Sequence, residues 1–396
     1  MQIFELTEWG FLIALWVFTA LVFLLAVVFL PRLPTRRLIS SVVQAVVMLL
    51  VSVLILVSVA AYLNRQNSWY TSWDDLAGGS ATALPTEKYG APAHGVTKAL
   101  ALSGSVTDEQ RDPQKNPAFQ NKIQDTAAHG QYFTVPVAGE TSGQTYDVMV
   151  WLPKSYLHDK DKLYPVIMGF TGFPGSPQTY SHSLDYGHMI EQAVDEGKLR
   201  DSIFVVPAVL PGTYDTECVD GTREQPHHET PRVETYITKD LIPWVKQNLR
   251  VGDDPRAWAA TGYSAGGYCS AMFSVKHPDL FGSGLVQSGY FEPECTKGQR
   301  WNESDDPRYD LQRIASTTKP SVNLNYYSSQ DDPLSWPSLT KFRDHVAGPT
   351  SLSVDSVAAG GHRQDVWQPG MVKSLSWLGS TSPFFAPRPN HEEMTR

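Results

Sequence analysis

The sequence predicts an α/β fold preceded by two membrane-spanning helices. Two long apolar segments open the chain, and from about residue 131 short β-branched and aromatic runs alternate with helix-length segments. Strands that alternate with helices form a mostly parallel sheet flanked by helices. A G-x-S-x-G sequence at residues 262–266 stands between one such strand and one such helix. The same pattern therefore also indicates where a functional site would lie.

The apolar segments cover residues 9–30 and 38–63, and neither contains a charged residue. About 20 apolar residues are enough to cross the hydrocarbon core as a helix. A signal peptide would have a basic start, whereas this chain begins MQIFELTE. Residues 1–65 are therefore predicted to form a two-helix transmembrane anchor in a lipid bilayer.

The orientation of this anchor is predicted from its loop and from the residues that follow it. Short loops rich in arginine stay on the cytoplasmic side, and Trp and Tyr side chains favour the membrane interface. The residues concerned are Arg32, Arg36 and Arg37 in the loop at 31–37, and Trp69, Tyr70 and Trp73 after the second segment. We expect a protein of the cell membrane whose chain beyond about residue 66 is extracytoplasmic.

Composition divides the rest of the chain. Residues 66–128 are rich in Gly, Ala, Ser, Thr and Pro, which indicates a stalk or wrapping segment. Residues 129–380 carry the strand and helix pattern, and residues 381–396 form a C-terminal tail. An antiparallel pair is predicted at 131–137 and 145–153, and buried, mostly parallel strands at 164–170, 202–209, 256–262, 283–289, 321–328 and 352–358. Helices are predicted at 186–198, 232–249, 265–277, 338–348 and 366–379.

The G-x-S-x-G sequence is weak by itself because Gly and Ser are common residues. Its position strengthens it, since Gly262 ends a predicted strand and a predicted helix follows Ser264, as in a nucleophile elbow. Side chains at Gly262 and Gly266 would collide with the neighbouring strand and helix in such a turn. The alternative is a serine that caps a helix.

A nucleophilic serine needs an adjacent base, usually a histidine oriented by a carboxylate. In this setting the chain order is Ser, then Asp or Glu, then His. His362 follows the last predicted strand, after Gly360 and Gly361. The preceding strand is followed by two candidate acids, of which Asp332, directly before a proline, is preferred and Asp331 is the runner-up. The alternatives are a surface-loop histidine and aspartates that serve a turn.

Acyl transfer also requires backbone N–H groups directed at the developing oxyanion. The Ala265 amide, directly after the serine, is one candidate. The loop TGFPG after the strand at 164–170 contains Gly172 and Phe173, and the Phe173 amide is the second candidate. A plain glycine turn is the alternative there.

Other site classes are disfavoured. His227, His228 and Glu229 are adjacent but lack the spacing of a metal motif, so no metal is predicted and these residues are expected at the rim of a cleft. No cofactor is expected, because the chemistry of a triad needs none.

The net charge of -9, from 32 Lys+Arg and 41 Asp+Glu, argues against a nucleic-acid partner. The sequence leaves the oligomeric state open.

The chain has three cysteines, and an extracytoplasmic domain lies where disulfides persist. Cys218 and Cys295 stand in polar, loop-like sequence and are the predicted pair. Cys269 falls in the apolar helix after Ser264 and resembles a small buried hydrophobe. The pairing stays open at this point, because connectivity cannot be deduced from sequence.

Four phrases carry a resemblance to a known family: YPVIMGFTGFPG, YITKDLIPWVKQNLRV, ATGYSAGGYCSAMFSVKHPDLFGSGLVQSGYF and GGHRQDVW. Over about residues 131–380 the chain resembles the putative esterase family of α/β-hydrolases, which includes esterase D, feruloyl esterases and the antigen 85 mycolyltransferases. The resemblance implies the α/β-hydrolase fold and an acyl-enzyme on Ser264, with His362 as base and then acid and Asp332 as its orienter. The chain departs from many members at Thr171 and Gly172, where they carry His-Gly or Asp-Gly. The mycolyltransferases also differ around the nucleophile and use a glutamate acid.

These observations predict a membrane-anchored, extracytoplasmic serine esterase that acts on an acyl ester or envelope lipid. With its two helices, the chain looks like an actinobacterial envelope esterase. One alternative is an acyltransferase whose acceptor is an envelope sugar hydroxyl. Another is a catalytically silent binding module, which the complete order of Ser, Asp and His argues against. A channel is disfavoured because the apolar segments contain no charged residue.

Overall fold

The computed structural model describes residues 6–387, with gaps at 30–31, 33–36, 80–81, 92–98, 113–114, 121, 124–128, 212–213, 295–299 and 304–305, and gives the backbone alone for residues 37–40. The chain divides into two compact units. The N-terminal unit comprises residues 1–83, 329–333 and 357–366, and the sheet unit comprises residues 84–328, 334–356 and 367–396.

The N-terminal unit begins with two long helices, α1 (Trp9–Phe29) and α2 (Arg37–Asn67), followed by the short α3 (Trp73–Leu76). Both long helices contain a stretch that is long and apolar enough to cross a membrane. Their large apolar side chains are mostly exposed, with Leu49 66% and Leu56 68% accessible. Continuous exposed apolar surface is typical of a surface that contacts lipid or a partner.

One nine-stranded sheet dominates the sheet unit. Its strands are β1 (Glu87–Gly90), β2 (Gln131–Ala138), β3 (Thr145–Leu152), β4 (Val166–Phe170), β5 (Ile203–Pro207), β6 (Trp258–Tyr263), β7 (Ser283–Gln287), β8 (Asn323–Ser329) and β9 (Ser351–Val357). Their spatial order is β1-β9-β8-β7-β6-β4-β5-β3-β2. The run from β5 to β8 is parallel, β2 and β3 are antiparallel at one edge, and β1 pairs antiparallel with β9 at the other. The predicted mostly parallel sheet is confirmed.

Helices cover the sheet. They are α4 (Asp108–Arg111), α5 (Ser155–His158), α6 (Tyr186–Asp195), α7 (Val233–Thr235), α8 (Ile242–Asn248), α9 (Ala265–Lys276), α10 (Leu311–Thr318), α11 (Ser335–Arg343) and α12 (Gln364–Thr381), with π-helical turns at Thr179–Ser183 and Tyr236–Leu241 and a 3-10 turn at Pro255–Ala257. Alternate residues of β4 enter two separate hydrophobic clusters, Met168 and Phe170 in one and Ile167 in the other. The central strands are therefore buried on both faces, which explains their continuous apolar sequence.

Strand β1 and helix α10 are among the elements of the sheet unit that were not predicted, as are the short helices α4 and α5. Strand β1 lies in the Gly- and Ala-rich segment and is only four residues long, too short to show an alternating pattern. Helix α10 is N-capped by Asp310, whose side chain accepts from the amide of Arg313. Its sequence LQRIASTT places Leu311, Ile314 and Ala315 at helical spacing, but the helix is only eight residues long, too short for that spacing to stand out.

Candidate active site

Ser264 lies at the turn between β6 and α9. The strand ends at Tyr263 and the helix begins at Ala265, and Ser264 between them has φ 57° and ψ −124°. A residue with a Cβ adopts such a conformation only where its surroundings enforce it. The Ser264 amide donates to the carbonyl of Gln287 at the end of β7, at 2.9 Å. Ser264 is partly exposed although Tyr263 and Ala265 are buried, which is the geometry of a nucleophile elbow.

The two glycines of the elbow are required by close backbone approach. A Cβ on Gly262 would collide with the carbonyl oxygen of Gly266, and a Cβ on Gly266 would collide with the carbonyl oxygen of Phe170 at the end of β4. Backbone atoms cannot move aside as the end of a flexible side chain can. The steric reason predicted for these glycines is therefore present in the structure.

The loop after β4 approaches the elbow within the sheet unit. A Cβ built on Gly172 would lie 3.2 Å from the Ser264 Cβ and 2.8 Å from the ring of Tyr263. Phe173 directly follows Gly172, and Ala265 is the first residue of α9, where amides have no partner inside the helix. Both candidate oxyanion amides thus belong to segments that adjoin Ser264.

His362 and Asp332 are in direct contact within the N-terminal unit. The distance from His362 Nδ1 to Asp332 Oδ2 is 2.7 Å. The imidazole is 11% exposed and the carboxylate is fully buried. With the Nδ1 proton donated to this carboxylate, the other ring nitrogen, Nε2, is the one that can accept a proton.

Asp331 has a different set of partners. Its Oδ1 accepts from the amides of Gly360 and Gly361, at 3.0 Å each, and its Oδ2 accepts from the hydroxyl of Thr71. The runner-up acid therefore holds the glycine turn before His362, and it is Asp332 that contacts the imidazole. Sequence reasoning missed this function of Asp331, because two adjacent aspartates in one turn give no signal of which partner each one meets.

The structure thus brings the predicted site residues together in two groups. Ser264, Ala265, Gly172 and Phe173 belong to the sheet unit, and Asp332 and His362 belong to the N-terminal unit. Along the chain, Ser264 follows β6, Asp332 follows β8 and His362 follows β9.

The predicted disulfide between Cys218 and Cys295 was wrong in its second partner. Cys218 is bonded to Cys269, with their Cα atoms 5.6 Å apart, and both residues are fully buried; Cys295 lies outside the described residues. The error has a physical cause, because Cys269 is indeed a buried residue of α9 but its buried face meets the loop that carries Cys218. The bond ties that loop to the helix that begins directly after Ser264.

A buried pair of acids precedes Cys218 and was not singled out from the sequence. Burial raises the pKa of Asp215 to about 6. Burial and the nearby Asp215 hold the pKa of Glu217 well above its usual range, and Glu217 Oε1 accepts from the Tyr290 hydroxyl at 2.7 Å. Glu217 therefore holds its proton more tightly in the folded chain than an ordinary glutamate does.

The residues predicted at the rim of a cleft lie on the surface of the sheet unit. His227 and Glu229 are exposed, and the ring of His228 packs against Tyr214 with a centroid distance of 4.7 Å. Across the described part of the chain, no group of three His, Cys, Asp or Glu side chains is arranged to hold a metal ion.

With this geometry in place, the relationship to known proteins is clear. Residues 139–378, more than half of the chain, match the family described as "Putative esterase". The chain belongs to this esterase family. Family membership supports ester hydrolysis as the class of reaction, on an α/β-hydrolase fold.

Two curated relatives match part of this chain. An uncharacterised protein of Corynebacterium glutamicum is 25% identical over 273 residues, which cover 63% of this chain and 62% of that protein. An endo-1,4-beta-xylanase/feruloyl esterase of Xylanibacter ruminicola is 24% identical over 174 residues, which cover 43% of this chain and 23% of that protein. The chain spans less than two thirds of the length of either relative.

Solved structures show the same fold at low sequence identity. An S-formylglutathione hydrolase from Agrobacterium tumefaciens matches with a TM-score of 0.54 and 17% identity, over 65% of this chain and 97% of that one. A ferulic acid esterase matches with a TM-score of 0.52 and 18% identity, over 63% and 97%. The part of the esterase that these structures match is therefore an α/β-hydrolase domain.

Proposed function

We propose that the chain is a membrane-anchored serine esterase that cleaves carboxylic esters through an acyl-enzyme on Ser264. The observation that carries this proposal is the 2.7 Å contact between His362 Nδ1 and the buried carboxylate of Asp332. A histidine held in this way has its Nε2 available as a base. In the proposed site, that nitrogen serves the hydroxyl of Ser264, as the base of a Ser-His-Asp triad does.

The proposed reaction has two halves. His362 Nε2 takes the proton of Ser264 while Oγ attacks the ester carbonyl, and the amides of Phe173 and Ala265 stabilise the oxyanion. The imidazolium, held by Asp332, then gives its proton to the leaving alcohol. In the second half His362 takes a proton from water as the water oxygen attacks the acyl carbonyl, and the proton then passes to Ser264 Oγ as its bond to the acyl group breaks and the acid is released.

We also propose that the esterase domain is extracytoplasmic. The loop between α1 and α2 is rich in arginine, as cytoplasmic loops are. The Cys218–Cys269 disulfide supports the same orientation, because disulfides are rare in the cytosol. In this arrangement α1 and α2 bring the site close to lipid or envelope esters. A reporter enzyme fused after the C-terminus, active only outside the cytoplasm, tests the orientation.

The nucleophile is tested with the full-length protein in detergent. Wild type and Ser264→Ala are compared on p-nitrophenyl esters of increasing chain length and in labelling by a fluorophosphonate. We expect turnover and labelling in the wild type only, with a chain-length optimum that reports the acyl pocket. A wild type that neither labels nor turns over, or a mutant that does both, would contradict the proposal.

A further inference from the structure

The segment directly after α2 is built into the loop that carries His362. Helix α2 ends at Asn67, and the carbonyl of the next residue, Ser68, accepts from the backbone amide of His362 at 2.9 Å. The neighbouring Gly361 has φ 63°, and a Cβ there would lie 2.5 Å from the Ser68 carbonyl oxygen and 2.7 Å from that of Trp69. The two backbones are therefore packed too closely for any residue other than glycine at position 361.

A buried ion pair fixes the other side of the histidine loop. Arg363 directly follows His362, and its guanidinium binds both carboxylate oxygens of Asp75 at 2.6 and 2.7 Å. The same group donates to the carbonyl of Trp69 at 2.6 Å and lies over the ring of Tyr70 at 4.6 Å. The side chain of Asp75 is 3% exposed and that of Arg363 is 16% exposed. A bidentate contact of this kind fixes the relative orientation of the guanidinium and the carboxylate as well as their distance.

A third contact reaches the turn that precedes the histidine. The Thr71 hydroxyl donates to Asp331, the carboxylate that holds the amides of Gly360 and Gly361. Asn64, in the last turn of α2, bonds the amide and the carbonyl of Tyr70 at 2.7 and 2.8 Å. The segment is thereby folded back on the end of α2 while it holds the histidine loop.

We propose that residues 68–75, hereafter the juxtamembrane clasp, position the catalytic base, so that esterase activity depends on the end of α2. This inference rests on the proposed function of His362. Asp75, Arg363 and Thr71 are positioning residues in it, since they act through the backbone and turn that carry the imidazole. The clasp thus makes the second membrane helix part of the catalytic apparatus as well as an anchor.

The primary test is Asp75→Asn in the full-length protein in detergent, with Asp75→Glu as the conservative variant. Asparagine removes the charge that holds Arg363, and displacement of a catalytic group by about 1 Å costs on the order of 100-fold in rate. We expect kcat to fall about 10- to 100-fold with KM within about twofold, and Asp75→Glu to restore part of the loss. Arg363→Gln is expected to lower kcat about as much as Asp75→Asn. The variant that combines both substitutions should lose no more kcat than either single variant.

Two further variants separate positioning from stability. Thr71→Val conserves shape and removes only the bond to Asp331, so we expect a smaller loss of kcat with an unchanged melting temperature. Glu234→Gln breaks the buried contacts of Glu234 with Lys276 and His277 in the sheet unit; we expect it to lower the melting temperature at least as much as Asp75→Asn, with kcat unchanged.

The outcomes distinguish this inference from the proposed function. If the wild type is active, Ser264→Ala is inactive, and Asp75→Asn and Thr71→Val keep the wild-type kcat, the clasp is overturned and the serine esterase stands. The clasp also fails if the loss of activity follows melting temperature across all variants, Glu234→Gln included. An inactive wild type would overturn the proposed function and this inference with it.

Discussion

The proposed nucleophile and the proposed acid–base pair are held by different kinds of structure. Ser264 is fixed by steric contact between backbones, where Gly262 and Gly266 leave no room for a side chain. Asp332 and His362 are fixed by polar contacts between residues far apart in the chain, such as Thr71 with Asp331 and Asp75 with Arg363, 260 and 288 positions apart. Steric fixation is local and follows from the motif, whereas polar fixation depends on a distant segment.

This difference predicts how each group fails. A Cβ added at Gly262 or Gly266 must displace backbone atoms. Such a substitution should therefore abolish activity altogether and not merely reduce it. Loss of a hydrogen bond or ion pair in the N-terminal unit leaves the loop that carries His362 in place but positions it less well. Such a substitution should therefore reduce the rate in part. Four substitutions test the comparison.

The largest effect is expected for Asp332→Asn. The amide would favour the wrong tautomer of His362 and would not stabilise the imidazolium, which lowers the rate about 10⁴-fold in a comparable triad. The measurement is kcat/KM on a short-chain p-nitrophenyl ester. Asp331→Asn is the matched control, because an amide oxygen can still accept from Gly360 and Gly361, and its loss should stay below about tenfold. Equal losses in the two variants would refute the assignment of the acid.

The second effect concerns the disulfide beside the nucleophile helix. Joint replacement of Cys218 and Cys269 by Ala opens a loop of 51 residues and should lower the free energy of unfolding by about 4 kcal/mol, measured by urea denaturation. Cys295→Ala is the control and should leave stability unchanged. Under denaturing, non-reducing conditions the wild type should show one free thiol and Cys295→Ala none; a free thiol in Cys295→Ala would contradict the pairing.

A smaller effect is expected for Gly172→Ala. The new Cβ would press on the Tyr263 ring, 2.8 Å away, and would displace the loop that bears the Phe173 amide. Loss of one oxyanion donor lowers kcat about 10²-fold, so kcat should fall by about that factor while the melting temperature moves little. A kcat within twofold of the wild type would mean that this loop supplies no oxyanion donor.

The smallest effect is expected for Glu217→Gln. The raised pKa of Glu217 means that the folded state binds its proton more tightly than the unfolded chain does. Its contribution to stability is complete below the ordinary glutamate pKa and is lost as pH rises through the raised value. The variant lacks this loss, so its stability should exceed that of the wild type by more at pH 7 than at pH 4.

Melting temperature is measured for this variant from pH 4 to 8. The exposed Glu140→Gln is the control and should show the same pH profile as the wild type. A Glu217→Gln profile parallel to that of the wild type would show that folding does not raise the pKa of Glu217.

The sequence predicted what depends on local pattern and missed what depends on distant contacts. The elbow, the parallel strands and the position of His362 follow from spacing and apolar runs within a few residues. Trp69, Tyr70 and Trp73 were interpreted only as interfacial aromatics, because no pattern in residues 68–75 reveals that Arg363 will pair with Asp75. The disulfide partner was missed for the same reason, since burial of Cys269 says nothing about which loop covers it.

The separation between the clasp and the loops it holds also sets an order of events during synthesis. Residues 68–75 leave the ribosome long before Asp331 and Arg363, which stand 260 and 288 positions later than their partners Thr71 and Asp75. Contacts between such distant positions close late in folding, because the loop-closure entropy must be overcome first. We therefore expect the proposed base to be the last part of the proposed site to form, so that a nascent chain with a finished elbow cannot use its serine until the C-terminal loops have been synthesised.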